Sequence, residues 1–150
     1  GITVSGLSAG GKGRFVTSNA RITVENCVFG SLAAKTSNEP ITLSGVTGGD
    51  CEAASNNARI TAEHCRFAEK LWMQTSNGPV RAEDVEAPDL TFKTANAAIT
   101  GTVVGDMRDY AISSRTSNAQ NNLPMDCAYE DQAKRLWATT SNGRIDVRFV

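Results

Sequence analysis

Carboxylates gather over the second half of the chain: Glu83, Asp84, Glu86, Asp89, Asp106, Asp109, Asp126, Glu130 and Asp131. Two carboxyl groups facing each other could cleave a glycosidic bond, one as acid and the other as base or nucleophile, and a denser cluster could hold calcium. Lys70, Arg81, Arg108, Lys134 and Arg135 are mixed in among them. Opposite charges at that density neutralise one another on a solvated rim, so ion pairing is expected and no catalytic residue is assigned. Trp72 and Trp137 offer different chemistry, because an exposed indole stacks on a sugar ring or seals an interface. With Asp106, Asp109 and Tyr129 they make up the candidate interaction surface.

Other reactive groups read more plainly. His64 is the only histidine, so a histidine metal cluster is excluded within the chain and a His-dependent triad has no nearby partner in sequence. It is expected to be a surface residue. The four cysteines, Cys27, Cys51, Cys65 and Cys127, include no Cys-x-x-Cys pair. They are expected to be core thiols, since cysteine is among the most buried residue types. The stretch Gly6-Leu7-Ser8-Ala9-Gly10-Gly11-Lys12-Gly13 approaches a phosphate-binding loop, but Gly13 stands where the hydroxyl should be and no helix follows. A Gly-rich turn between strands is expected there. No metal or cofactor is implied.

A scaffold must position these side chains, and the sequence spells it out as a repeat. A Thr-Ser-Asn phrase, or a close variant, starts at Thr17, Thr36, Ser55, Thr75, Thr94, Thr116 and Thr140, at intervals of 19, 19, 20, 19, 22 and 24 residues. A fixed period of that length marks a solenoid. After each phrase apolar and polar residues alternate, as in Arg21-Ile22-Thr23-Val24-Glu25, which is the period of a half-buried strand. The fold is expected to be all-β: a single-stranded parallel β-solenoid, or β-helix, of about seven coils of 19–24 residues. It is taken as right-handed and as one domain over residues 1–150, cut from a longer protein.

Aligned on the phrase, the coils give apolar columns. One holds Ile22, Ile41, Ile60, Val80, Ile99 and Ile145, and Val24, Leu43, Ala62, Ala82, Gly101 and Val147 run beside it. A third holds Leu32, Cys51, Leu71, Leu90 and Leu136, with Ala34, Ala53, Met73, Phe92 and Ala138 alongside. A fifth holds Cys27, Val46, Cys65, Val85, Val104 and Val150. Cys27 and Cys65 then lie two coils apart, about 9–10 Å at ~4.8 Å per coil, beyond disulfide reach. Trp72 and Trp137 point outward, three coils apart.

The phrase marks a corner. Asn19, Asn38, Asn57, Asn77, Asn96, Asn118 and Asn142 are expected to stack as an amide ladder, at positive φ and poorly reached by water, with Thr and Ser hydroxyl ladders beside it. Both end coils are expected to be bare, at Ile2 and Val4 and at Ile145 and Val147, unless residues from Tyr129 to Leu136 fold across the second end.

The phrase at Thr75-Ser76-Asn77-Gly78 and at Thr140-Ser141-Asn142-Gly143 resembles the TSNG-type repeats of a bacterial adhesin-like family of β-strand-repeat domains of unknown function. Ala20, Glu39, Ala58, Ala97 and Ala119 stand in the Gly place elsewhere. The resemblance implies a β-helical fold and a role at the cell envelope, and it supplies no catalytic residue. Unpaired cysteines fit a reducing compartment better.

The charge balance is nearly neutral, at −1, with no basic block, which disfavours nucleic acid as a partner. No apolar run is long enough to span a membrane. The expected function is therefore a non-enzymatic adhesion or interaction module whose partner is a protein or a cell-surface glycan. The alternative is a self-assembling, bactofilin-like scaffold that associates through its solenoid ends. A carbohydrate-active β-helix enzyme is the third class, and it would need a tight carboxylate cluster.

Overall fold

The computed structural model describes residues 1–123 and 132–150. Two seven-stranded parallel sheets wrap one continuous core. The first sheet contains the short strands β1 (Ile2–Ser5), β3 (Ile22–Glu25), β5 (Ile41–Ser44), β7 (Ile60–Glu63), β9 (Val80–Val85), β11 (Ile99–Val103) and β14 (Ile145–Phe149). The second contains β2 (Ser8–Val16), β4 (Val28–Lys35), β6 (Thr47–Ala54), β8 (Arg66–Gln74), β10 (Asp89–Lys93), β12 (Tyr110–Arg115) and β13 (Lys134–Thr139). The chain is a β-solenoid. Five turns, β1 to β10, follow chain order, fewer than the seven phrases imply, because the last two phrases are stacked differently.

Alternation explains why these residues form strands. Ile22, Val24, Ile41, Leu43, Ile60 and Ala62 are fully buried while Thr23, Thr42 and Thr61 between them face out. Register pairs Ile22 with Ile41, Ile41 with Ile60 and Ile60 with Val80, so each apolar column is one ladder. The column of Cys27, Val46, Cys65 and Val85 is fully buried too, but Val103 continues it in place of Val104, and Val150 is exposed. The shift arises at Gly101, where the pairing of β9 with β11 slips by one residue. The Gly-rich stretch also differs from expectation. Only Gly6 turns, at φ 66°, while Ser8 to Val16 is one strand with a bulge between Ala9 and Lys12.

The phrase forms the expected corner, with a different internal logic. Its first residue points inward: Thr36, Ser55, Thr75, Thr94 and Thr140 are all buried. The hydroxyls of Thr75, Thr94 and Thr140 donate to the carbonyls of Ala58, Gly78 and Ala97 on the preceding coil, at 3.1, 2.9 and 3.0 Å. Thr75 and Thr140 also accept the backbone N–H three residues on. The hydroxyls thus bond backbone, not one another. The Asn ladder is complete: in the order Asn19, Asn38, Asn57, Asn77, Asn96, Asn142 and Asn118, each Nδ2 donates to the Oδ1 of the asparagine before it, at 2.6–2.8 Å. It lies in the open, and its residues do not have positive φ. Positive φ falls at the other corner, on Gly6, Asn26, Gly45, His64 and Asp84.

The ladder order reveals the end of the fold. β13 lies between β10 and β12, and β14 pairs with β11. The C-terminal segment is therefore inserted beneath the coil that precedes it in sequence, and residues 110–123 form the outermost layer. Asn122 completes that layer: its amide donates to the Val147 carbonyl at 2.9 Å and accepts the Val147 N–H at 3.0 Å, replacing a neighbouring strand. Ile145 and Val147 are consequently buried, not bare, because β12 and residues 120–122 cover them. Leu136 lies inside β13, fully buried, not in a lid. Tyr110 pins the arrangement: it packs on Phe149 with ring centroids 5.3 Å apart and donates to the Val104 carbonyl at 2.8 Å. At the other end Ile2 and Val4 are only partly buried, as expected.

Candidate functional site

The outward face of the second sheet is assembled by register alone. Trp72 on β8 pairs with Thr91 on β10, and Thr91 pairs with Trp137 on β13. The two indoles therefore share one column with a single threonine between them, two ladder steps or about 9–10 Å apart. The chain-order alignment had set them three coils apart; inserting β13 next to β10 removes one step. Trp137 is 49% exposed and Trp72 is half-buried. On one side of the column run Lys70, Asp89 and Arg135, and on the other Gln74, Lys93 and Thr139. Glu52, the neighbour of Trp72 on β6, accepts from Lys70 Nζ at 3.1 Å. Two apolar plates ringed by amide, hydroxyl and paired charges can stack on rings and hydrogen-bond their rims at once.

The remaining candidates do not join this face. Asp106 caps the 3-10 turn Met107–Asp109: its carboxylate accepts the Arg108 backbone N–H and the Arg108 guanidinium, both at 2.9 Å. The Arg108 side chain and N–H hold this exposed carboxyl at a pKa of about 2. Asp109 is exposed on the same turn. Tyr129 lies outside the described residues, as do Asp126, Cys127, Glu130 and Asp131. Of the remaining carboxylates in that group, Glu83 is bonded to Arg81 and Glu86 lies near Arg66. Among the described residues no group of three or more His, Cys, Asp or Glu could hold a metal ion. Cys27, Cys51 and Cys65 are free and buried, and desolvation raises the thiol pKa of Cys51 and Cys65.

His64 is exposed as expected, yet it has a partner: Nδ1 lies 2.7 Å from Asp84 Oδ2. Asp84 also accepts from Arg66 at 2.9 Å, and His64 followed by Arg66 draws its pKa below the usual carboxylate range. The partner stands 20 residues away, hidden by sequence separation. A signal was nevertheless present: Gly6, Asn26, Gly45 and His64 each directly follow one of the strands β1, β3, β5 and β7, Asp84 holds the same conformation within β9, and these residue types tolerate positive φ best. Beside this corner a hollow of about 460 Å³ is lined by Arg66, Phe67, Glu86, Ala87, Pro88 and Lys134. Its guanidinium is already committed to Asp84 and Glu86. Comparison with known proteins found no matching family model, no matching curated protein and no matching solved structure.

Proposed function

We propose that the chain is a non-enzymatic interaction module of the adhesin type, a rigid β-solenoid whose second sheet presents Trp72 and Trp137 to an extended, uncharged cell-surface glycan. The observation that carries this reading is the shared outward column of Trp72, Thr91 and Trp137. Every backbone ladder around it is parallel and in register, so the two plates are held at fixed spacing without a loop. Ordered plates lose little side-chain entropy on binding, which favours weak stacking contacts that act together. Nearby charges alternate in sign along Lys70, Asp89 and Arg135, which suits a neutral ligand better than a polyanion. The TSNG-type phrases are the support for an envelope setting.

The test is retention of the chain on a panel of immobilised neutral and acidic polysaccharides. Retention on a neutral glycan that Trp137→Ala reduces at least about tenfold supports the reading. Retention on acidic polymers alone, lost in high salt, overturns it.

A further inference from the structure

The outward face of the first sheet is organised by charge, and nothing in the glycan reading uses it. Carbonyl ladders place Arg21, Pro40 and Arg59 in one edge column, because Ile22 N–H donates to Pro40 and Ile41 N–H to Arg59. The central column is Thr3, Thr23, Thr42 and Thr61. The opposite edge is Ser5, Glu25, Ser44 and Glu63. The face thus has a positive edge, a neutral spine of short side chains and a negative edge. Arg21 and Glu25 are four residues apart on one extended strand, about 13 Å, so they cannot reach each other within the chain. Among the described residues neither Arg21, Arg59, Glu25 nor Glu63 lies within ion-pair distance of an opposite charge, and Arg81 acts on Glu63 only from longer range. Further along the same face the pattern ends, since Arg81 is held by its own Glu83 and Asp146 by Arg148.

We infer that this face is a lateral interface for a second copy of the chain, the two solenoids lying side by side in parallel. A half-turn about an axis parallel to the solenoid axis exchanges left and right edges while keeping each coil at its own level. Arg21 then meets Glu25 of the second copy and Arg59 meets its Glu63, and both contacts recur by symmetry, as an isologous interface requires. A half-turn about the perpendicular in-plane axis sets Arg against Arg, so charge selects the parallel arrangement. The threonine spine lets the two sheets approach to the usual ~10 Å while the long Arg and Glu side chains bracket it. Four short strands per copy make a footprint below the standard size, so association is weak and steered by charge.

Sedimentation equilibrium of the 150-residue chain tests this. The dimer dissociation constant should weaken by about tenfold or more between ~0.05 M and ~0.5 M salt, as exposed pairs are screened. The variants Arg21→Glu/Arg59→Glu and Glu25→Arg/Glu63→Arg should each be monomeric alone and should form a heterodimer when mixed. All four positions are solvent-facing, and circular dichroism checks that each variant is folded. A wild-type chain that stays monomeric at low salt and millimolar concentration overturns the inference. So does a wild-type dimer that both charge-reversed variants retain, which would assign association to another surface such as the edge of β1 and β2.

Discussion

Gly101 adopts φ 150°, and a Cβ built there would overlap the Ala82 carbonyl oxygen on the coil below. Both the backbone conformation and the close approach exclude a side chain. Gly101→Ala should therefore lower stability by about 2–3 kcal/mol, read from the urea midpoint, and an unchanged midpoint would show that the bulge is not where register is set. Asp84 gives a pH-dependent expectation. Its folded-state pKa is depressed by His64 and Arg66, so its contribution is present above the unfolded carboxylate range and is lost as pH falls through the depressed value. Asp84→Asn should accordingly lose less of its melting temperature between pH 5 and pH 2 than the wild type, by thermal scans in matched buffers; parallel curves would contradict this. At this scale the sequence was legible wherever one residue type recurs at one step. The asparagine ladder was visible for that reason, whereas the positive-φ corner was not, because Gly, Asn, His and Asp share it.

Among the elements, β1 to β10 were readable because each apolar column advances by one coil per phrase. The placement of β12 and β13 was not, since the phrases at Thr116 and Thr140 have the same letters and either could stack on the phrase at Thr94. Only the longer intervals of 22 and 24 residues hinted at an altered path. Backbone pairing resolves it: Thr94 N–H donates to Thr139, and Thr140 N–H to Arg115. Paired cysteines test this directly. With Cys127 replaced by Ser, Thr91→Cys and Trp137→Cys stand on adjacent strands, within the ~4.4–6.8 Å range of a disulfide, and should bridge on mild oxidation. Thr91→Cys with Ser113→Cys lies two steps apart and should not. Bridging of the second pair and not the first would restore chain-order stacking.

For the whole molecule, insertion of the C-terminal segment has two consequences. It places Asn122 on the outer edge of β14, where its amide takes up the N–H and C=O of Val147, while β12 stands as the outermost strand of the second sheet among the described residues. It also brings Trp137 to within two steps of Trp72, so the candidate binding face exists only in the folded, reordered stack. The outward direction of both tryptophans was legible from alternation; their proximity was not, because it depends on the reordered strands. The most direct measurement is calorimetric titration of the chain with a length series of a neutral, extended oligosaccharide, repeated with Trp72→Ala and Trp137→Ala. The account predicts a steep gain in affinity once the ligand is long enough to cover both indoles, and loss of that gain, at least about tenfold or 1.4 kcal/mol, in either variant. Affinity that is independent of ligand length, or unchanged by Trp137→Ala, would contradict it.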